Sequence, residues 1–275
     1  MTEVLDRILE VADQITAMLE APRGLKHHRH QYHLQPAIRE IKRIMAQYFE
    51  RQKHAVLAAV KPHLQSHIDQ FSEASTKGKS FAQSVLPVSM HPLKFAATAV
   101  EQSEYADAIT GAILGAAKVL TEEMEAGEVV APNLAGSYLA EHSLSKLTGD
   151  IDRTSVERLQ DALATAWDKG GDYDSMVSAI TNTFDDFSET RAAMIAQTEA
   201  NDAYSYGRHE TAAELGMAEK EWDPDGEACE EICQPNAEAG WIPIDDDFPS
   251  GDDMPTAHPR CDCGCNYRKG EDDED

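Results

Sequence analysis

All five cysteines of this 275-residue chain fall between Cys229 and Cys265. That crowding restricts the local fold more than any other feature. The first pair is Cys229-Glu230-Glu231-Ile232-Cys233. After an acidic loop containing Pro and Gly comes His258-Pro259-Arg260-Cys261-Asp262-Cys263-Gly264-Cys265. Two short donor-bearing turns joined by a loop are how a tetrahedral zinc site is built. Four soft or borderline donors must then lie about 3.5–4 Å apart. The candidate ligands are Cys229, Cys233, His258, Cys261 and Cys263, with Cys265 as a further thiol. The favoured four are Cys229, Cys233, His258 and Cys261, and Cys263 is the main rival.

Free or structural thiols, a redox pair and a disulfide are the competing readings. An odd number of cysteines leaves one thiol over in a purely disulfide framework. Met1 to Glu20 reads as amphipathic without the uninterrupted apolar core of a signal peptide, so a reducing compartment is expected. Clustered cysteines there more often hold metal than pair. A catalytic zinc wants an open coordination position and a nearby general base. No acid stands in an H-E-x-x-H or H-x-E setting, so no catalytic residue is assigned and the expected zinc is structural.

Asp and Glu total 50 against 24 Lys and Arg, a formal net charge of −26. Such a surface repels nucleic acid as a whole. Nine of the basic residues nevertheless lie between Pro22 and Ser66, where only Glu40 and Glu50 oppose them. Six of the eleven histidines fall there too, including His27, His28 and His30. The plain reading is a helix with a solvated basic face. The sharper one is a contact for an acidic partner or DNA phosphates through residues 22–66. No apolar run approaches the length of a membrane span, so no membrane partner is expected.

Helical periodicity dominates the chain. Val4, Leu5, Ile8, Leu9, Ala12, Ile15 and Leu19 form one stripe, closed by Pro22 and Gly24. A histidine-rich linker precedes a helix over 36–59, with Ile38, Ile41, Met45, Phe49, Val56 and Val60 inward and Pro62 as its limit. Residues 72–89 read as a loop. A helix over 92–126 follows, broken near Ser103, its stripe running through Ala96, Val100, Ile109, Ile113, Leu114, Ala117 and Leu120. Gly127 stops it, and Pro132, Asn133 and Gly136 mark an irregular stretch.

Three helices then succeed one another. Thr154 or Ser155 caps the first, Asp174 opens the second, and Ser188 caps the third, which Gly216 ends. Only then do strand-like pieces appear, Lys220–Trp222 and Trp241–Ile244. The expected fold class is mainly α: a helical region over 1–145, a helical core from 146 with a small α+β cysteine/histidine-rich end by 268, and an acidic disordered tail over 269–275.

The run from Lys146 to Cys263 resembles the Mu F-like head morphogenesis family, the minor head proteins of tailed bacteriophages. The residues that carry the resemblance occur in the family's order. They are Leu147-Thr148-Gly149-Asp150, Gly170, Arg191-x3-Ile195-Ala196-Gln197-Thr198-Glu199, Lys220-Glu221-Trp222, Asp225, Cys229, Gly240 and Pro255-x2-His258-Pro259-x-Cys261-x-Cys263. Gln197 stands where the family has Arg, the Cys229/Cys233 pair is one residue wider, and Asp262 replaces a common basic residue. The resemblance implies a non-enzymatic component of the phage head, associated with the portal protein and, as further partners, the major capsid or scaffolding protein. It implies a place in the virion, in the head interior or at the portal vertex, and in the host cytoplasm during assembly. A link to DNA packaging or ejection is implied for some members. The alternatives are a zinc-dependent nuclease or other hydrolase, and a zinc-bearing DNA-binding regulator. The second needs a basic surface near the metal, where this chain has Asp245-Asp246-Asp247 and Asp252-Asp253.

Overall fold

Apolar residues at helical spacing carry the first long helix well past its expected limits. The computed structural model describes residues 26–73, 77–86, 97–126, 133–224 and 229–270. The expected helix over 4–19, the stop at Gly127 and the tail from 271 lie outside the described residues. Helix α1 spans Lys26–Glu73 and absorbs the expected linker. Ile41, Met45, Phe49, Val56 and Val60 are buried as predicted, and Leu64 and Ile68 prolong that face beyond Pro62. Both Pro36 and Pro62 are exposed within it. A proline inside a helix loses one hydrogen bond and crowds the preceding turn, at about 3 kcal/mol. Burying two further aliphatic side chains, each at about 1.5–3 kcal/mol, offsets that.

The chain divides into two compact units, each assembled from separated stretches. One takes residues 38–110 and 135–199; the other takes the described parts of 1–37, 111–134 and 200–275. The expected boundary after residue 145 falls inside a helix, α5 (Leu144–Asp168).

The first unit holds most of α1, then α2 (Gly78–Val85), the start of α3 (Ala99–Glu123), most of α4 (Leu134–Glu141), α5, α6 (Tyr173–Asp186), a π-helical turn (Phe187–Arg191) and the start of α7 (Ala192–Glu214). Helix α2 replaces part of the expected loop. Its Phe81 is buried and stacks on Trp167 at 3.9 Å, and the Gly78 amide donates to Asp168 Oδ1 at 2.8 Å. A Cβ at Gly78 would collide with the Ala164 carbonyl, so the glycine that reads as a loop signal is a close-approach residue.

Helix α3 starts later than expected and is unbroken at Ser103. The Thr98 hydroxyl accepts the Glu101 amide at 3.2 Å and Glu101 accepts the Thr98 amide at 2.7 Å, a reciprocal capping box. Val100 and Leu114, placed on the inner stripe by periodicity, are 64% and 53% exposed. Asn133 is irregular as expected, with φ +92, but Gly136 lies within helix α4, and Pro132 lies outside the described residues.

Helix α5 begins ten residues or so before its expected caps. Thr154 and Ser155 sit inside it, their hydroxyls donating to the Ile151 carbonyl. They also receive the buried Arg191 guanidinium, which lies 4.9 Å over the Phe187 ring. Ser188 caps nothing, because α6, the π turn and α7 run on without a break. The second helix does have an acidic cap: Asp172 Oδ1 accepts the Ser175 amide at 2.9 Å.

In the second unit α7 passes close to α3. A Cβ at Gly207 would stand 2.6 Å from the Ile113 carbonyl oxygen and 3.1 Å from Ala116 Cβ. Ala112, Ala116 and Ala117 are buried along this part of α3, whereas Gly111 and Gly115 face open space. Gly207→Ala is therefore expected to cost about 1–3 kcal/mol through overpacking against backbone. Gly115→Ala should be neutral or gain up to about 1 kcal/mol of helix propensity. Urea denaturation of the two variants separates these outcomes.

After Gly216, whose φ is +69, the chain forms a three-stranded antiparallel sheet. Its order is β2 (Ile242–Pro243), β1 (Glu219–Asp223), β3 (Gly264–Arg268). The third strand and a short helix α8 (Cys233–Glu238) were not legible from periodicity. Lys220 pairs with Tyr267 and Trp222 with Cys265. Those four side chains share the buried face, because alternate residues of a strand point the same way. The fold is mostly helical with one small sheet beside a cysteine/histidine cluster. Among the described residues no helix is long and apolar enough to cross a membrane.

Candidate metal centre

Two turns of the second unit present the donors, and each is shaped by its own backbone. In the first, the Cys233 amide donates to Cys229 Sγ at 3.4 Å, and the Gln234 amide to the Cys229 carbonyl at 3.1 Å. The turn leads directly into α8, so Cys233 is carried on a helical start and is fully buried. Asn236, on the same helix and also fully buried, fastens it to the acidic loop. Its Nδ2 donates to Ser250 Oγ at 2.8 Å and its Oδ1 accepts the Ser250 amide at 3.0 Å.

The second turn is closed by the Cys261 amide donating to the His258 carbonyl at 3.1 Å. Pro259 stands at its second position and Arg260, with φ +63, at its third. That is the type II turn pattern, with a side chain where glycine is usual.

The two turns meet. Cys229 Sγ, Cys233 Sγ and a His258 ring nitrogen all lie within 4.8 Å of one another, and so do the sulfurs of Cys233, Cys261 and Cys263. Cys233 belongs to both groups. Its sulfur is 3.1 Å from His258 Nε2 and 3.8 Å from Cys261 Sγ. These separations are of the size that donors on one ion require. All five cysteines are free thiols.

The imidazole is oriented for ligation. His258 Nδ1 lies 3.0 Å from the Pro259 carbonyl oxygen. A carbonyl only accepts, so the proton of the neutral ring sits on Nδ1 and the lone pair of Nε2 faces Cys233. A histidine whose second nitrogen is fixed by a carbonyl is the usual support of a metal ligand.

Thiol acidity follows position. Backbone N–H groups, that of Cys233 foremost, hold the half-buried Cys229 thiol below its ordinary range. Burial pushes Cys233 up to about 12. Cys261 is also raised, first by its hydrogen bond with Cys263 and then by burial. Crowded buried thiols resist ionising together, and a cation among them reverses that preference.

Cys265 stands apart from both donor groups. It is on the inner face of β3, where burial raises it to about 12. Nearby, Lys220 is fully buried and donates to the Asp253 carbonyl at 2.6 Å. Burial lowers its pKa. Cys265→Ser is expected to leave metal stoichiometry unchanged, which metal analysis of the purified variant checks.

Two buried residues that sequence reasoning missed, Asn201 and Asn236, brace the turns. The signal for Asn201 was its place just after Glu199 on the motif-bearing helix. Glu199 itself accepts a hydrogen bond from Tyr105 at 2.8 Å. For Asn236 there was no signal beyond its closeness to Cys233.

Comparison with protein-family models, with curated proteins and with solved structures found no match. Cys229, Cys233, His258, Cys261 and Cys263 can together hold a metal ion.

Proposed function

We propose that this chain is a minor head protein of a tailed bacteriophage, acting in head morphogenesis at the portal vertex, and that a structural zinc ion fastens its C-terminal end. The observation that carries the reading is the meeting of Cys229, Cys233, His258, Cys261 and Cys263, on motifs whose order resembles the Mu F-like family. Zinc accepts thiolate and imidazole together without imposing a geometry of its own. The donors outnumber the four it needs, so the protein alone can saturate it. A saturated site leaves no position for water or substrate, which favours a fastening role over hydrolysis.

The proposed partners are the portal protein first and the major capsid or scaffolding protein second. The basic stretch 22–66 is the candidate DNA contact. Much of its charge is already matched. Arg43 pairs with Glu40 and Glu104, Arg51 with Glu101, and Lys53 with Glu50 and Asp185. Arg39, Lys42 and Lys61 are exposed.

Deleting the gene from the phage that encodes it tests the role. The expected result is a loss of DNA-filled, infectious heads, with the tagged protein co-purifying with portal from wild-type lysates. Particles normal in number, DNA content and infectivity would sink the reading.

A further inference from the structure

We propose that Asn201, on α7, is a positioning residue of the metal centre, holding the Cys261–Cys263 turn in the shape that presents both thiols to one ion. This rests on the metal reading above. Asn201 is 2% exposed, and its Nδ2 lies 2.9 Å from the Cys261 carbonyl oxygen and 2.7 Å from Asp262 Oδ1. An amide nitrogen carries two hydrogens, so both acceptors are served at once.

The need for such a brace follows from the spacing. In extended chain, residues i and i+2 point the same way but stand nearly 7 Å apart along it. That is too far for two sulfurs of one ion, so the backbone must bend at the residue between them. Residues 261–263 belong to no helix or strand that would impose the bend. Asn201 grips both sides of it, the carbonyl of the first cysteine and the side chain of the residue between the two. The grip comes from a 23-residue helix, outside both donor turns. Metal occupancy is thereby tied to the placement of α7 as well as to the two turns.

The test uses full-length protein, with zinc affinity measured against a chromophoric chelator and the visible spectrum recorded after cobalt(II) loading. Asn201→Asp keeps the size of the side chain but replaces the donor by a carboxylate. Asp262→Ala removes one acceptor and leaves the helix untouched. Both are expected to weaken zinc binding by about 10–100-fold, as loss of a ligand's supporting partner does. Their cobalt spectra should lose thiolate charge-transfer intensity while far-ultraviolet circular dichroism stays that of the wild type. Adding Asp262→Asn to Asn201→Asp again sets a donor against an acceptor at that one contact and should recover part of the affinity, the Cys261 carbonyl still lacking its donor. A residue that merely stabilised the fold would lower the melting temperature and leave affinity and spectrum alone. Wild-type affinity and spectra in both single variants would overturn the positioning role while the metal reading stands. Failure of the wild-type chain to take up zinc or cobalt would overturn both.

Discussion

Cys233→Ala is expected to remove the metal altogether. Cys233 is the one donor shared by both groups, is fully buried, and has His258 and Cys261 as near neighbours. A tetrahedral site can lose a peripheral donor to a spare neighbour, since five stand here for four places. Loss of Cys233 is different, because it leaves only two donors in each of the two close groups. The apparent binding energy of a structural zinc is about 10–16 kcal/mol, and in a small metal-bearing end that energy is folding energy. The variant purified under reducing conditions should therefore carry less than a tenth of the wild-type metal. Amide exchange should quicken over residues 229–268 while α5 and α6 keep their protection. Chelation of the wild-type protein should reproduce both effects. A variant that still holds stoichiometric metal would show that Cys233 is packing and not ligation.

Trp222→Ala is expected to cost about 3–5 kcal/mol, the range for removing a large buried aromatic side chain. Trp222 is 1% exposed, meets the Phe248 ring edge-on at 5.0 Å, and belongs to one buried cluster with Cys233, Cys261, Cys263 and Tyr267. The indole Nε1 is buried without a hydrogen-bond partner among the described residues. Trp222→Phe removes that uncompensated donor, a burden of about 1–3 kcal/mol, and should cost clearly less than Trp222→Ala. Urea denaturation followed by near-ultraviolet circular dichroism ranks the two. Equal losses would mean that the indole nitrogen is satisfied in solution.

What could be read in the sequence, and what could not, separates by the range of the interaction. The apolar stripe of α1, the stop at Gly216 and the strand at Lys220–Trp222 are local signals and hold in the structure. Local breakers misled wherever a distant partner outweighed them. Pro62 does not end α1 because Leu64 and Ile68 find burial beyond it. Gly78 reads as a loop until the Ala164 carbonyl is seen against it. Thr154 and Ser155 have the side chains of caps, but their hydroxyls serve Arg191 from within a helix.

That Cys229, Cys233, His258, Cys261 and Cys263 would cluster was legible because sulfur and imidazole are few and fall in two short turns. Their braces were not, because Asn201 is separated from Cys261 by sixty residues of chain. Nor could spacing reveal that Cys233 would lie between two donor groups while Cys265 turned toward Lys220. That division depends on the register of β3 against β1.

X-ray absorption at the zinc edge, on full-length protein purified under reducing conditions, tests the central claim most directly. The expected spectrum comes from one zinc per chain with sulfur neighbours at about 2.3 Å and one nitrogen at about 2.0 Å. Folded protein without zinc, or zinc surrounded only by oxygen and nitrogen, would contradict it.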